Sequence, residues 1–516
     1  MKRACGDMQK LVTSVQMKEM DRVAIEEMKV PSTLLMMAAA EHVAGEAIKY
    51  LPPGGKCAIF AGSGNNGGDG IGAAIELVKR GYEVGVFLTG KREKMTPDCV
   101  EMERRLIEIG GELVPFDLDE EGTAAEFLKG CHVIIDAIFG IGLNSGLRDG
   151  ALRAVNLINT SPARVIATDM ASGVEADTGH LLGGAVKADV TVTFTFAKPG
   201  QYIEPGATYS GEVIVKNIGI PQNLADDLRM RTFLVTEKDV FLPARASNTH
   251  KGDYGKLLMV CGSTGYTGAP TLASSAAIRT GAGLVTLGVP ESIYEITAAK
   301  SEEAMPYPLP ADDWGRLSER ALGWIIKKLR KSDACLIGPG LGRSGEVEKI
   351  VHEVIRFSPI PLIIDADGIN AVAANINVLD EARCPVVLTP HEGEFMRLAG
   401  EEAKGGRLEA ARAFAKKHRC TVVLKGPGTV SAFQSGEVCV NTTGNPGMAK
   451  GGSGDVLAGI VASLVGQKIP IRRAVYTAVW VHGRAGDVLQ ERQGSYTMMP
   501  NELTEVMPEI LKNIER

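Results

Sequence analysis

The sequence predicts an α/β protein of two domains, each a parallel sheet covered by helices on both faces. Three observations carry this. The chain has 516 residues, about twice what one hydrophobic core organises. Short apolar runs alternate with amphipathic helical segments along both halves, the signature of βαβ units. Loops rich in Gly, Asn and Asp follow the apolar runs, where parallel sheets bind their ligands.

Composition narrows the function. Hydrophobic residues make up 45% and the net charge is −6, which describes an ordinary soluble globular protein and argues against general nucleic-acid binding. Nine cysteines (Cys5, Cys57, Cys99, Cys131, Cys261, Cys335, Cys384, Cys420, Cys439) are scattered without Cys-x-x-Cys spacing, so a reducing compartment and no zinc site are expected. Residues 1–14 carry charges but no apolar signal-peptide core. No apolar run reaches the about eighteen residues of a membrane span. A cytoplasmic protein with no membrane partner is expected.

Taken in order, residues 15–28 and 32–50 read as amphipathic helices separated by Pro31, with Met17, Met20, Val23 and Ile25 on the first apolar face. Residues 56–61 form a strand, 68–80 a helix, 83–88 a strand and 97–110 a helix. Residues 112–116, 133–138, 164–168 and 211–215 read as further strands. A connector at 220–227 places the boundary near residue 230, giving domains 1–230 and 231–516.

Three loops of the first domain share a composition. The first strand leads to Gly62-Ser63-Gly64-Asn65-Asn66-Gly67-Gly68-Asp69-Gly70. Asp136 precedes Gly140-Ile141-Gly142-Leu143-Asn144-Ser145-Gly146, and a third loop holds Asp169 and Ser172. Each alone reads as turn chemistry, but together they describe a polar pocket.

These loops resemble the YjeF N-terminal family, the NAD(P)H-hydrate epimerases, over most of residues 15–220. The resemblance implies a Rossmann-like three-layer αβα domain. It implies that Asn65, Asn66, Gly67, Gly68, Asp69, Gly140, Ile141, Gly142, Leu143, Asn144, Ser145 and Gly146 hold the nucleotide of NADHX or NADPHX. It also implies that Asp169 contacts the damaged ring and that Asn66, Asp136 and Ser172 ligate K+. All three offer oxygen, as a hard monovalent cation requires. The hydrated carbon is a carbinolamine, so its epimers exchange by losing and regaining hydroxide or by ring opening. Either route needs proton transfer, for which Asp169 is the candidate.

The second domain repeats the pattern, with strands at 257–261, 283–289, 333–337, 361–364, 385–388 and 421–424 and a helix at 271–281. The series ends in Asn445-Pro446-Gly447-Met448-Ala449-Lys450-Gly451-Gly452-Ser453-Gly454-Asp455, which opens onto an apolar helix. Unpaired N–H groups at such a helix start bind anions, most often phosphate. A carboxylate there would repel phosphate unless it takes a proton from a hydroxyl beside it. The alternative is a glycine turn with Asp455 as a helix cap.

This ordered set resembles the ADP/ATP-dependent NAD(P)H-hydrate dehydratases, which are ribokinase-like αβα proteins, over nearly all of 236–516. The resemblance implies that Ala269, Gly342, His391, Glu392, Gly393, Glu394, Phe395, Met396 and Arg397 line the hydrate site. Lys425, Gly426, Pro427, Gly428 and Thr429, with Asn445 through Gly454, would hold the adenine nucleotide, and Asp455 would contact the hydrate. The family pattern is His-Pro-Gly-Glu, whereas Glu392 stands second here, making that loop less rigid and adding a charge. Asp455 would activate the hydroxyl for attack on the terminal phosphate, Gly452–Gly454 would stabilise the transition state, and elimination of phosphate would restore the dihydropyridine. Mg2+ is expected with the nucleotide, with Glu394 a candidate to place it. ADP is favoured over ATP because the fused form resembles the prokaryotic enzymes, and a homo-oligomer is expected. Two other readings stay open: a ribokinase-like small-molecule kinase with an accessory domain, and a front half that only binds nucleotides, RNA or protein. His482 reads as packed within a helix.

Overall fold

The structure is a computed structural model that describes residues 8–116 and 121–516. Cys5 and residues 1–7 of the leader lie outside the described residues. The chain divides into two compact units, Gln9–Met230 and Arg231–Arg516 with Met8.

The first unit is built on seven strands: β1 (Lys56–Ala61), β2 (Glu83–Leu88), β3 (Leu113–Pro115), β4 (Val133–Ala137), β5 (Arg164–Thr168), β6 (Val190–Phe194) and β7 (Glu212–Lys216). Their order is β3-β2-β1-β4-β5-β6-β7, and every pair is parallel. Both faces are covered. In β1, Cys57, Ile59 and Ala61 enter one core while Ala58 and Phe60 enter the opposite one, as the two-residue period of a strand requires. The strand order reverses between β1 and β4, which is where an open parallel sheet leaves a crevice for ligand.

Three features differ from the sequence reading. The helix after β1 spans Asn65–Lys79, so the Asn-Asn-Gly-Gly-Asp run forms its first turns rather than a loop ahead of it. The first helix ends at Arg22 and continues as one π-turn, Val23–Glu27. That wider turn changes the register: Met17, Met20 and Ala24 are buried while Ile25 is exposed. Strand β6 was not anticipated, because its sequence Val-Thr-Val-Thr-Phe is half polar, yet all of it is buried.

The second unit carries ten strands: β8 (Thr232–Val235), β9 (Lys256–Val260), β10 (Leu284–Pro290), β11 (Met305–Leu309), β12 (Ala334–Ile337), β13 (Leu362–Ile364), β14 (Val386–Leu388), β15 (Thr421–Leu424), β16 (Val430–Ala432) and β17 (Val438–Asn441). They run in the order β11-β10-β9-β12-β13-β14-β15-β16-β17-β8, and only β16 is antiparallel to its neighbours. The order reverses between β9 and β12. The four strands absent from the sequence reading (β8, β11, β16 and β17) all lie toward the edges of the sheet. Among the described residues, no helix is long and apolar enough to cross a membrane.

Candidate active sites

In the first unit, Asp169 follows β5 in a left-handed conformation, φ 63°. Such a backbone strains a non-glycine residue and persists only where its surroundings hold it. Here they do. The Asp169 carboxylate accepts from the Lys198 ammonium at 2.5 Å and from Thr193 Oγ1 at 3.1 Å. Its backbone carbonyl accepts from Gln201 Nε2 at 2.8 Å. Lys198 is only 1% exposed, so its charge is carried by this carboxylate.

A cleft of about 480 Å3 opens beside them, lined by Asp21, Asn65, Asn66, Asp69, Gly140–Leu143, Asp169 and Lys198, with Met17, Leu35 and Met36 as apolar wall. The acids share the space unequally. Burial, then the Asp169 charge, pushes Asp21 up to about 6. The same causes push Asp69 well above its ordinary value. Gly67 is required by close approach: a Cβ there would come within 1.8 Å of the Gly62 carbonyl oxygen. Asn144, Ser145 and Gly146 are exposed and lie outside the lining.

At the end of β4, Ser172 Oγ donates to Asp136 Oδ1 at 2.6 Å and accepts from the Phe139 N–H at 2.9 Å. Asp136 is fully buried, and burial pushes it up to about 6. Asn66 sits across from them, its Oδ1 3.0 Å from where a Gly140 Cβ would stand. Both polar atoms of the Asn66 amide are shielded from solvent without a hydrogen-bond partner. A buried amide in that state is costly unless a ligand satisfies it.

In the second unit, Gly452 takes the left-handed conformation, φ 102°, and caps the helix Ser453–Gly466, placing Asp455 in its first turn. Burial, then the charges of Asp365 and Asp367, raises Asp455 to about 7 against the attraction of Lys425. Lys425 cannot offset more, because its ammonium donates to Asp365 Oδ1 at 2.7 Å and lies 3.9 Å from Glu394. Thr389 Oγ1 donates to the same Asp365 oxygen at 2.8 Å.

His391 caps the helix Glu392–Ala399: its Nδ1 accepts from Gly393 N, while Glu394 Oε2 accepts the His391 N–H at 2.8 Å. Glu394 is therefore a buried capping residue. Glu392 pairs with Arg407 at 2.6 Å. Arg407 also donates to the carbonyls of Leu424, Lys425 and Pro427, so the charge at position 392 helps hold the 424–427 turn. Phe395 is core, packed on Phe414, and Met396 points to solvent. Arg397 donates to Asn370 Oδ1 at 3.0 Å, and these two with Gly342 and Asp367 line a cleft of about 370 Å3. Gly342 N donates to Asp367 Oδ2 at 2.9 Å. Ala269 lies in the first turn of the helix Gly268–Arg279, beside Gly340.

Several residues that shape these sites carry no sequence signal of their own. Lys198, Gln201 and Thr193 lie in a turn and a strand, Val190–Phe194, that the periodicity does not mark. Asp365 and Asp367 follow the strand Leu362–Ile364, but nothing in sequence assigns them to Lys425 and Gly342. Asp21 lies within a helix.

Known proteins match both halves. A family described as YjeF-related protein N-terminus matches residues 32–200, and one described as NAD(P)H-hydrate dehydratase matches 257–509. The bifunctional NAD(P)H-hydrate repair enzyme of Moorella thermoacetica is 39% identical over 514 residues, covering 98% of this chain and 97% of its own. That of Thermofilum pendens is 38% identical over 96% of this chain and 95% of its own. The ADP/ATP-dependent NAD(P)H-hydrate dehydratase of Bacillus subtilis, crystallised with ATP and Mg2+, is 31% identical, with TM-score 0.46, over 54% of this chain and 98% of that one. The chain belongs to the family of bifunctional NAD(P)H-hydrate repair enzymes.

Proposed function

We propose that Asp169 and Asp455 are the reacting carboxylates of the two activities joined in this chain. The enzyme repairs hydrated NADH and NADPH: the front half interconverts the epimers and the back half dehydrates one of them using an adenine nucleotide. The observation that carries the assignment is Asp455, a carboxyl raised to about 7 in the first turn of a helix that follows a left-handed glycine. A base near neutrality beside an anion site fits hydroxyl activation next to a phosphate.

In the back half, Asp455 takes the proton of the ring hydroxyl, whose oxygen attacks the terminal phosphorus, and the nucleotide departs one phosphate shorter. N–H groups at Gly452, Ser453 and Gly454 stabilise the charge on the transferring group. The ring nitrogen lone pair then expels phosphate, and loss of a proton from the adjacent carbon restores the dihydropyridine. Asn445–Gly454 and 425–429 hold the nucleotide, and Gly342, Asp367, Asn370 and Arg397 frame the hydrate. Mg2+ would arrive on the nucleotide, neutralising phosphate charge; Glu394, with one carboxylate oxygen free of backbone bonds, is our candidate to meet it. We favour ADP as donor.

In the front half, Asp169 exchanges a proton with the carbinolamine while Lys198 fixes its carboxylate. Asn66, Asp136 and Ser172 would hold K+, whose charge would satisfy the orphaned Asn66 amide oxygen and the buried Asp136. A cytoplasmic homo-oligomer is the setting we favour; light scattering tests the assembly.

The deciding experiment follows nicotinamide absorbance as mixed NADHX epimers meet the full-length protein, Mg2+, K+ and either ADP or ATP. Complete recovery with phosphate release is expected. Phosphorylated hydrate accumulating without reduced nicotinamide would make the back half a kinase. Recovery that halts at one epimer's share would make the front half a binding module.

A further inference from the structure

The helix Ile471–Gln493 carries His482-Gly483-Arg484-Ala485-Gly486-Asp487, a run with no part in either reaction as described. His482, Gly483, Gly486 and Asp487 share one helical face, and that face meets the segment 443–453 along its length. At the start, both Asp487 carboxylate oxygens accept the Gly444 N–H at 3.1 Å, and Oδ1 also accepts Asn445 Nδ2 at 3.1 Å. Asn445 Oδ1 in turn accepts the Gly447 N–H at 3.0 Å, capping the short turn Pro446–Met448.

The middle of the segment is in contact too. A Cβ on Gly486 would stand 2.3 Å from Met448 Sδ, and one on Gly483 would stand 2.3 Å from Thr443 Oγ1. At the far end, the His482 imidazole lies against the backbone of Ser453, and burial pulls it down to about 4. Its Nε2 is shielded without a hydrogen-bond partner.

A glycine-rich segment loses much conformational freedom when it is fixed, so its N–H groups bind an anion well only if already aimed. The geometry points to Asp487 as a positioning residue, and to the His482–Gly483–Gly486–Asp487 face as the platform that holds segment 443–453 in its nucleotide-binding shape. Asp487 acts through Gly444 and Asn445 and does not touch the nucleotide. The inference rests on the reading that Asn445–Gly454 binds the adenine nucleotide.

The test compares full-length Asp487→Ala, Asp487→Asn, Gly486→Ala and Gly454→Ala, with KM measured separately for nucleotide and hydrate. Losing a charged acceptor of backbone N–H should raise the nucleotide KM of Asp487→Ala about ten- to hundredfold. The hydrate KM should stay within about twofold, since its binding groups lie elsewhere. Asp487→Asn keeps an acceptor oxygen and should fall between, and Gly486→Ala should show the same selectivity by pushing on Met448. The melting midpoint of the back unit in each chain reports whether that unit folds intact. Should Asp487→Ala fail to fold, Asp487→Asn and Gly486→Ala carry the decision alone. The platform is refuted if both KM values move together or neither moves. An unchanged nucleotide KM in Gly454→Ala would instead overturn the reading of the segment itself.

Discussion

Asp169 and Asp455 are both carboxylates just beyond strand ends or at a helix start, and both lie near a lysine largely shielded from solvent. They differ in what that lysine does. Lys198 is held by Asp169 together with Thr193 Oγ1 and the Phe194 carbonyl, with no second carboxylate hydrogen-bonded to it among the described residues. Lys425 is drawn to Asp365 and Glu394, which leaves Asp455 underneutralised and raised to about 7. Backbone strain is divided in the same way. In the front site Asp169 itself is left-handed, while in the back site it is Ala366, φ 50°, between Asp365 and Asp367. One site fixes its acid with a private cation; the other leaves its acid poised between two charge states.

The largest effects should come from removing the acids. Asp455→Asn should lower the dehydration rate by about a thousandfold or more, with epimer exchange intact; a tenfold loss would remove Asp455 as base. Asp169→Asn should abolish epimer exchange followed by NMR and leave dehydration of the reactive epimer unchanged. Full exchange activity would sink that role.

Removing the private cation comes next. Lys198→Met strands a buried carboxylate, and breaking such a pair should cost about 3–5 kcal/mol in the denaturation of the front unit, with epimer exchange slowed in parallel. An unchanged melting midpoint would mean that Lys198 is not what fixes Asp169.

The poised acid predicts a pH profile. Asp455 must be ionised to accept a proton, so kcat/KM for dehydration should fall about tenfold per unit below pH 7. Asp455→Asn should erase that limb.

The smallest effect is on stability. A carboxyl raised in the folded state binds its proton more tightly there, so its contribution is full below the unfolded value near 4 and is lost as pH rises to about 7. Asp455→Asn should therefore melt above the parent protein at pH 8 and alongside it at pH 4. Equal midpoints at both would show that Asp455 carries no charge strain.

Much of this architecture was readable in order along the chain. The βαβ alternation followed from period and turn residues, and the loops holding Asp136, Asp169 and Asp455 stood out because Gly and Asp cluster where strands end. Edge strands such as β8 and β11 were hidden: Thr232–Val235 is too short for a period, and Met305–Leu309 is interrupted by two prolines. The helix start at Asn65 was hidden as well, since two asparagines and two glycines in a first turn look like a loop.

Local patterns determined which residue types are present and which loops they occupy, because propensity and periodicity act over a few neighbours. Tertiary structure alone decided the pairings that set each acid's charge. Lys198 reaches Asp169 across 29 residues and Lys425 reaches Asp365 across 60. Coulomb interaction and desolvation depend on distance in space and on burial, and neither is written in the spacing of residues along the chain.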